Sequence, residues 1–232
     1  MENKKNKYKE IHIQYVYELF FDVMSKYVKS KRVIDNLFKD VVECYSDKSR
    51  HYHTMHHLYG VISMWDSHKH LLAKPDEMFV AAIYHDIIYN PKKRDNEYQS
   101  SMYFLNKVFT IIQKNNYKLK TLECATIAMA ILATKHGSDF SQTMLENNQD
   151  VRYLVDFDLE ILGTRHQSTY DWYKDGVRKE YSMYSDKEYK EGRIKVLEHF
   201  LNSKKIYLTK EFKKIEKKAR KNLQNEINSY IC

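Results

Sequence analysis

Glycine and proline are scarce in this chain, with five Gly and two Pro among 232 residues. That leaves little material for the tight turns of a hairpin-rich sheet protein. Cysteine is scarce too. Cys44, Cys124 and Cys232 are isolated, odd in number and without CxxC spacing. This argues against a disulfide framework and a cysteine-built zinc site, and it favours a reducing compartment. No apolar run approaches the roughly 20 residues that span a bilayer. The basic stretch Met1-Glu2-Asn3-Lys4-Lys5-Asn6-Lys7 leads into an amphipathic segment rather than a signal-peptide core. A cytoplasmic location is expected. No GxSxG elbow is present, and no cysteine sits in a nucleophile motif, so a serine or cysteine hydrolase lacks its signature.

Charge is abundant but uneven. The formal net charge is +8. Between positions 204 and 221, nine Lys or Arg face only Glu211 and Glu216, a local net of +7, and residues 1–9 add +3. The remainder is therefore nearly neutral. The basicity belongs to the two ends, where a solvated helix face competes with a phosphate- or RNA-contacting patch. No aromatic-interleaved recognition motif accompanies it.

Helical periodicity runs throughout, which predicts an all-α protein. Helices are expected near 8–29, 33–45, 53–68, 78–88, 96–115, 122–134, 170–184, 188–202 and 210–230. A loop is expected at Ser138 and Asp139, and Gly163 suits a helix C-cap. The fourth helix is almost wholly apolar until it meets His85 and Asp86, so it is expected to be central and buried. In the last, Phe212, Ile215, Ala219, Leu223, Ile227 and Tyr230 recur at spacings of three and four. No repeat, linker or domain boundary shows. A single domain over 1–232 is expected, with its chemistry between about 50 and 181 and a basic helical extension over about 186–232.

Histidines concentrate in one stretch. Seven of the eleven lie between residues 51 and 85, in Arg50-His51-Tyr52-His53-Thr54-Met55-His56-His57, at 68 and 70, and in Ile83-Tyr84-His85-Asp86. Imidazole and carboxylate are the side chains that hold a divalent transition metal through nitrogen and oxygen. His53 and His57, four apart, share a helix face, but His53 and His56, three apart, do so as well. Spacing leaves His56 and His57 as rivals. His85 and Asp86 project about 100° apart on an ideal helix, so spacing alone does not bring both to one ion. A distant Asp156-Phe157-Asp158 offers the further carboxylate.

The order His57, His85-Asp86, Asp158 resembles the H…HD…D signature of the HD-domain superfamily of metal-dependent phosphohydrolases. More narrowly, several segments look like one subfamily of predicted HD phosphohydrolases. They are Arg50-His51-Tyr52-His53 with His57, Tyr84-His85-Asp86 with Tyr89-Asn90-Pro91 and Asp95-Asn96-Glu97, Thr134-Lys135-His136, Asp156-x-Asp158-Leu159 through Gly163, Arg178-x-Glu180-Tyr181, and Ala219-Arg220-x-Asn222-Leu223. Where that subfamily often has Trp-Phe before the His-Asp, this chain has Ile83-Tyr84.

The resemblance implies an HD-type helical bundle with added N- and C-terminal helices, and one divalent ion held by His57, His85, Asp86 and Asp158. Phe157-Asp158-Leu159 fits the family's ligand context better than Asp156, which remains the rival. Manganese, iron, zinc, cobalt, nickel and magnesium all suit such ligands, whereas imidazole disfavours calcium. His136 is the only histidine in 87–157; binuclear members supply two more there, so one ion is expected. The implied reaction is attack on a phosphomonoester or phosphodiester, plausibly of a nucleotide, by water that the ion acidifies. His53 resembles the position that protonates the leaving group, and Asp95 and Glu97 resemble water-orienting acids. Arg50, Lys135, His136 and Arg178 are the expected phosphate partners. The competing expectation is a catalytically silent scaffold that binds a nucleotide or RNA through the basic C-terminal helix.

Overall fold

Seven consecutive apolar residues, 78–84, lie at the centre of the fold, none more than 1% exposed. The computed structural model describes residues 2–114, 118–137 and 139–231, and among these it is all-helical, without a strand. The first four helices are α1 (Glu2–Met24), α2 (Lys31–Tyr45), α3 (Met55–His68) and α4 (Pro75–Tyr84). Helix α5 (Asn96–Tyr103) passes through a π-helical turn, Phe104–Phe109, into α6 (Thr110–Lys114). Then come α7 (Thr121–Ala133), α8 (Asp139–Asn147) and α9 (Gln149–Leu159), followed by α10 (Gln167–Glu180), α11 (Asp186–Asn202) and α12 (Glu216–Ile231). Helix α4 packs against α3, α7 and α9. A hydrophobic cluster with members from Val16 to Ile227 runs through the described helices. No described helix is long and apolar enough to cross a membrane.

The helix starts follow local chemistry. Pro75 opens α4 with Asp76 and Glu77 in its first turn, where fixed φ and negative charge suit a helix N-terminus. Asp150, from α9, adds a carboxylate that accepts from Ala73 N and Lys74 N at 3.0 and 2.7 Å. Thr54 caps α3 by accepting from His56 N, and Asn148 caps α9 by accepting from Asp150 N and Val151 N. Ser185 and Glu188 form a reciprocal capping box at α11.

Several expectations change: the helix expected over 78–88 runs from Pro75 to Tyr84, and α9 fills a stretch where none was expected. Helix α3 begins at Met55, so His53 stands just outside it, beyond the Thr54 cap. The expected loop near Asp139 is helix α8, whose apolar anchors Met144 and Leu145 are too few to show as periodicity; Ser138 lies outside the described residues. The last helix starts at Glu216 rather than near 210. The preceding segment is tied down in irregular form: Asp156 accepts from Leu208 N and Thr209 N, and Glu216 accepts from Ile206 N and Tyr207 N. Gly163 closes a 3-10 turn, Glu160–Gly163, where an added Cβ would lie 2.6 Å from Ile215 Cδ1. It serves close packing, and the left-handed glycine is Gly137, at φ 76°.

The C-terminal stripe faces inward: Phe212, Ala219, Leu223 and Ile227 are buried. Asn222 Nδ2 donates to Leu162 O and Thr164 O at 2.9 and 3.0 Å. The basic segment thus braces the end of α9, while Lys213, Lys214 and Lys217 stay exposed.

Candidate metal centre

Three pieces of chain converge: the first turns of α3, the end of α4 and the last turns of α9. His57 and His85 are 3% and 1% exposed at the side chain, and Asp86 and Asp158 cover them from the solvent side at 15% and 18%. His57 Nε2 lies 3.3 Å from His85 Nε2 and 3.3 Å from Asp158 Oδ1. His85 Nε2 lies 3.2 Å from Asp86 Oδ2 and 3.5 Å from Asp158 Oδ1. One donor atom from each of the four residues falls within 4.8 Å of all the others, an arrangement able to hold a metal ion. Two ligands each about 2.1 Å from one ion, at 90–110° to each other, are roughly 3.0–3.4 Å apart. The closest separations match this, and the four donors could hold one divalent ion once the widest pairs draw in.

Adjacent residues reach one point at the end of α4, whose last residue is Tyr84. His85 is the C-cap and keeps helical φ and ψ, −59° and −40°, and Asp86 follows in the turn. Arg50 fixes that turn. Its guanidinium donates to Asp86 O at 2.7 Å, Ile87 O at 2.8 Å and His53 O at 3.2 Å, and it packs over the Tyr45 ring at 4.8 Å. A helix end leaves carbonyls without partners, and an arginine satisfies them with favourable charge. The buried Arg50 is therefore spent on holding two ligand-bearing segments together, and it does not line the cavity above them.

The two sequence ambiguities resolve by direction. His56 points away, its ring 4.8 Å from His12 and 4.6 Å from Trp172. Asp156 and Asp158 sit on roughly opposite faces of α9, 200° apart in rotation. Asp156 is fully buried and accepts from Leu208 N, Thr209 N and Thr209 Oγ1 at 2.9, 2.8 and 2.6 Å. Burial pushes its pKa up to about 6 against those donors.

Electrostatics differ within the cluster. Burial lowers the His57 pKa to about 4, leaving a neutral imidazole, the form that binds metals. Burial works to lower His85, but Asp86, Tyr45 and Asp158 together outweigh it and hold the group well above its ordinary value. His85 Nδ1 donates to Ala82 O at 2.7 Å, which directs Nε2 at the cluster. For Asp86 and Asp158 burial raises the pKa, yet the neighbouring histidines win and keep both well below the carboxylate range.

Above the cluster opens a cavity of about 470 Å³. His53, Glu97, Lys135 and His136 line it, together with Asp86 and Asp158. His53 Nδ1 donates to Glu180 Oε2 at 2.7 Å, its ring stacks on Tyr89 at 4.0 Å, and its Nε2 lies 3.8 Å from Asp86 Oδ2. Burial works to lower its pKa, but the bond to Glu180 and the nearby carboxylates raise it overall. His136 Nε2 is 3.8 Å from Asp158 Oδ2, and burial raises the pKa of Glu97. Lys135 Nζ donates to Arg94 O at 2.8 Å.

Two further expected site residues lie elsewhere. Asp95 precedes α5 and accepts from Gln99 Nε2 at 2.8 Å, as suits a helix start. Arg178 donates to Tyr181 O, Tyr184 O and Asp186 Oδ1, bracing the turn after α10. Both are outside the cavity lining.

Sequence reasoning left three residues of the site without a role. Glu180 Oε1 accepts from the backbone N–H groups of His51, Tyr52 and His53 at 2.8, 2.8 and 2.9 Å, so one carboxylate holds the whole approach to α3. Its signal was present in Arg178-x-Glu180-Tyr181. Lys93 and Arg94 line the cavity mouth, and the run Lys92-Lys93-Arg94 directly after the His-Asp turn was the legible cue. In comparisons with protein-family models, with curated proteins and with solved structures, nothing matches this chain.

Proposed function

We propose that the chain is a metal-dependent phosphohydrolase of the HD type, cleaving a phosphomonoester or phosphodiester, with a nucleotide as the candidate substrate class. One observation carries the reading. A buried two-histidine, two-carboxylate cluster forms the floor of a cavity whose walls bear Lys93, Arg94, Lys135 and His136. Two carboxylates balance a divalent charge once both imidazoles bind in their neutral form, His85 giving up its proton to do so, and cations around the mouth attract a phosphate.

His57, His85, Asp86 and Asp158 would hold the ion. When bound, such an ion supplies Lewis acidity, lowering the pKa of water from 15.7 toward about 7 and drawing charge off a phosphoryl oxygen. Lys135 and Arg94, at the cavity wall, orient the phosphate and offset its charge. Glu97 faces the same space and positions water. Burial disfavours a charged His53, but the Glu180 bond and the cluster carboxylates together raise its pKa, which favours the protonated ring. Its Nε2 faces the cavity while Glu180 holds Nδ1, so it delivers that proton to the departing oxygen.

The test is metal content by mass spectrometry on untagged protein purified without chelator, alongside a phosphatase and phosphodiesterase screen with the ion found. About one equivalent of a transition metal or magnesium is expected, with both metal and turnover lost in Asp86→Ala while helical content stays. Turnover that persists in the metal-free variant sinks the reading, and so does wild-type protein that takes up no ion on reconstitution.

A further inference from the structure

The cavity over the cluster does not end at its own walls. A second groove, about 420 Å³, runs between the 91–94 segment and helices α10 and α11. The two spaces share six lining residues: Lys93, Arg94, Val177, Tyr181, Arg193 and Val196. They form one cleft with the metal cluster at one end and Tyr184, Tyr189 and Gly192 at the other.

The two ends differ in chemistry. The junction carries two exposed cations, Lys93 and Arg94, beside Arg193, which is 9% exposed and paired with Glu226. Arg193 Nε and Nη2 are bonded to Glu226 and Tyr173, at 2.8 and 2.7 Å, which holds the guanidinium rigidly in the wall. The far end is aromatic. Tyr181 and Tyr184 stack with centroids 6.2 Å apart, and Tyr189 stands 6.3 Å from Tyr181. Arg178 fixes this wall by donating to the carbonyls of Tyr181 and Tyr184 and packing 4.7 Å over the Tyr189 ring. Within the groove, Tyr184 and Val196 are 40% and 47% exposed, an apolar surface that nothing in the described chain covers.

Gly192 points to the same use. It lies inside α11, where glycine weakens a helix relative to alanine. A Cβ built there meets no atom within 4 Å, so packing does not require the glycine. Gly192 lines the groove, and a side chain there would enter open space.

Resting on the phosphohydrolase reading above, we infer that this groove is the leaving-group subsite, and that it selects phosphate esters whose leaving group carries a flat aromatic ring. Lys93 and Arg94 take the non-bridging phosphate charge at the junction. Tyr181, Tyr184 and Val196 receive the ring, stacked or edge-on, where aromatic pairs gain beyond burial alone. The absence of a side chain at 192 keeps the path open.

The experiment uses two phosphonates that cannot be hydrolysed, methylphosphonate and 4-biphenylylmethylphosphonate. Each is titrated calorimetrically into the full-length protein carrying the ion it is purified with. The wild type is expected to bind the biphenylyl compound at least tenfold more tightly. Gly192→Trp, which fills the groove at an exposed helix position, is expected to bring the two affinities together. Tyr184→Ala is expected to narrow the gap. Equal affinities in the wild type, or an unchanged ratio in both variants, overturn the subsite and leave the metal-site reading standing. Failure of the wild type to bind either phosphonate overturns both.

Discussion

Two groups of buried carboxylates in this protein look alike in sequence and differ in what surrounds them. Asp156, Glu180 and Glu226 are each met by fixed donors. Asp156 has two backbone N–H groups and a hydroxyl, Glu180 has three N–H groups and His53, and Glu226 has Arg193, Tyr170 and Tyr230. Asp86 and Asp158 are met chiefly by imidazole nitrogens at 3.2–3.8 Å, the spacing of ligands around an ion. The first group satisfies its charge with protein and stabilises the fold. The second spends stability on a site, since a buried charge without full hydrogen bonding is costly.

The two groups separate most strongly under one substitution made at two positions of α9. Asp158→Asn is expected to lower metal occupancy by more than about 100-fold, since even outer partners of a ligand cost 10–100-fold. Asp156→Asn is expected to keep the metal and cost about 1–3 kcal/mol of stability, because a buried acceptor set is disturbed. Metal analysis beside urea unfolding separates them, and an identical phenotype for both would erase the distinction. Glu226→Ala comes next. It strands the buried Arg193, and breaking such a pair costs about 3–5 kcal/mol, seen as a Tm drop of about 10 °C.

A smaller, pH-dependent effect belongs to Glu180. Burial works to raise its pKa, but the His53 bond and the backbone donors hold it down at about 2, against an ordinary 4.5. A carboxylate depressed in the folded state stabilises fully above the unfolded value and loses that contribution as pH falls through the folded one. The window is therefore about pH 4.5 down to 2, and the contribution is on the order of 3 kcal/mol. Glu180→Gln is expected to flatten stability across that window relative to the wild type, as measured by chemical unfolding at pH 6 and pH 3.

The central helix was legible because an apolar run of this length has nowhere to go but inside. The helical class was legible from periodicity and from scarce glycine and proline. Helix α8 was not, because Met144 and Leu145 are too sparse an apolar face to register. Nor was the late start of α12, which a 3-10 turn, Lys213–Ile215, precedes, after a segment whose 208 and 209 N–H groups are held by the distant Asp156.

For the site, the sequence by itself supplied the inventory: clustered histidines, a His-Asp closing an apolar helix, and a distant pair of aspartates. Residue type and spacing limit which atoms can ligate. Only the tertiary structure decided that His57 turns inward while His56 turns to His12, that Asp158 joins the cluster while Asp156 anchors the C-terminal segment, and that Arg50 and Arg178 brace backbone rather than face the cavity. Those outcomes depend on where α3, α4 and α9 cross and on where α4 stops. Such crossings are set by packing among residues far apart in the chain, and no local pattern encodes them.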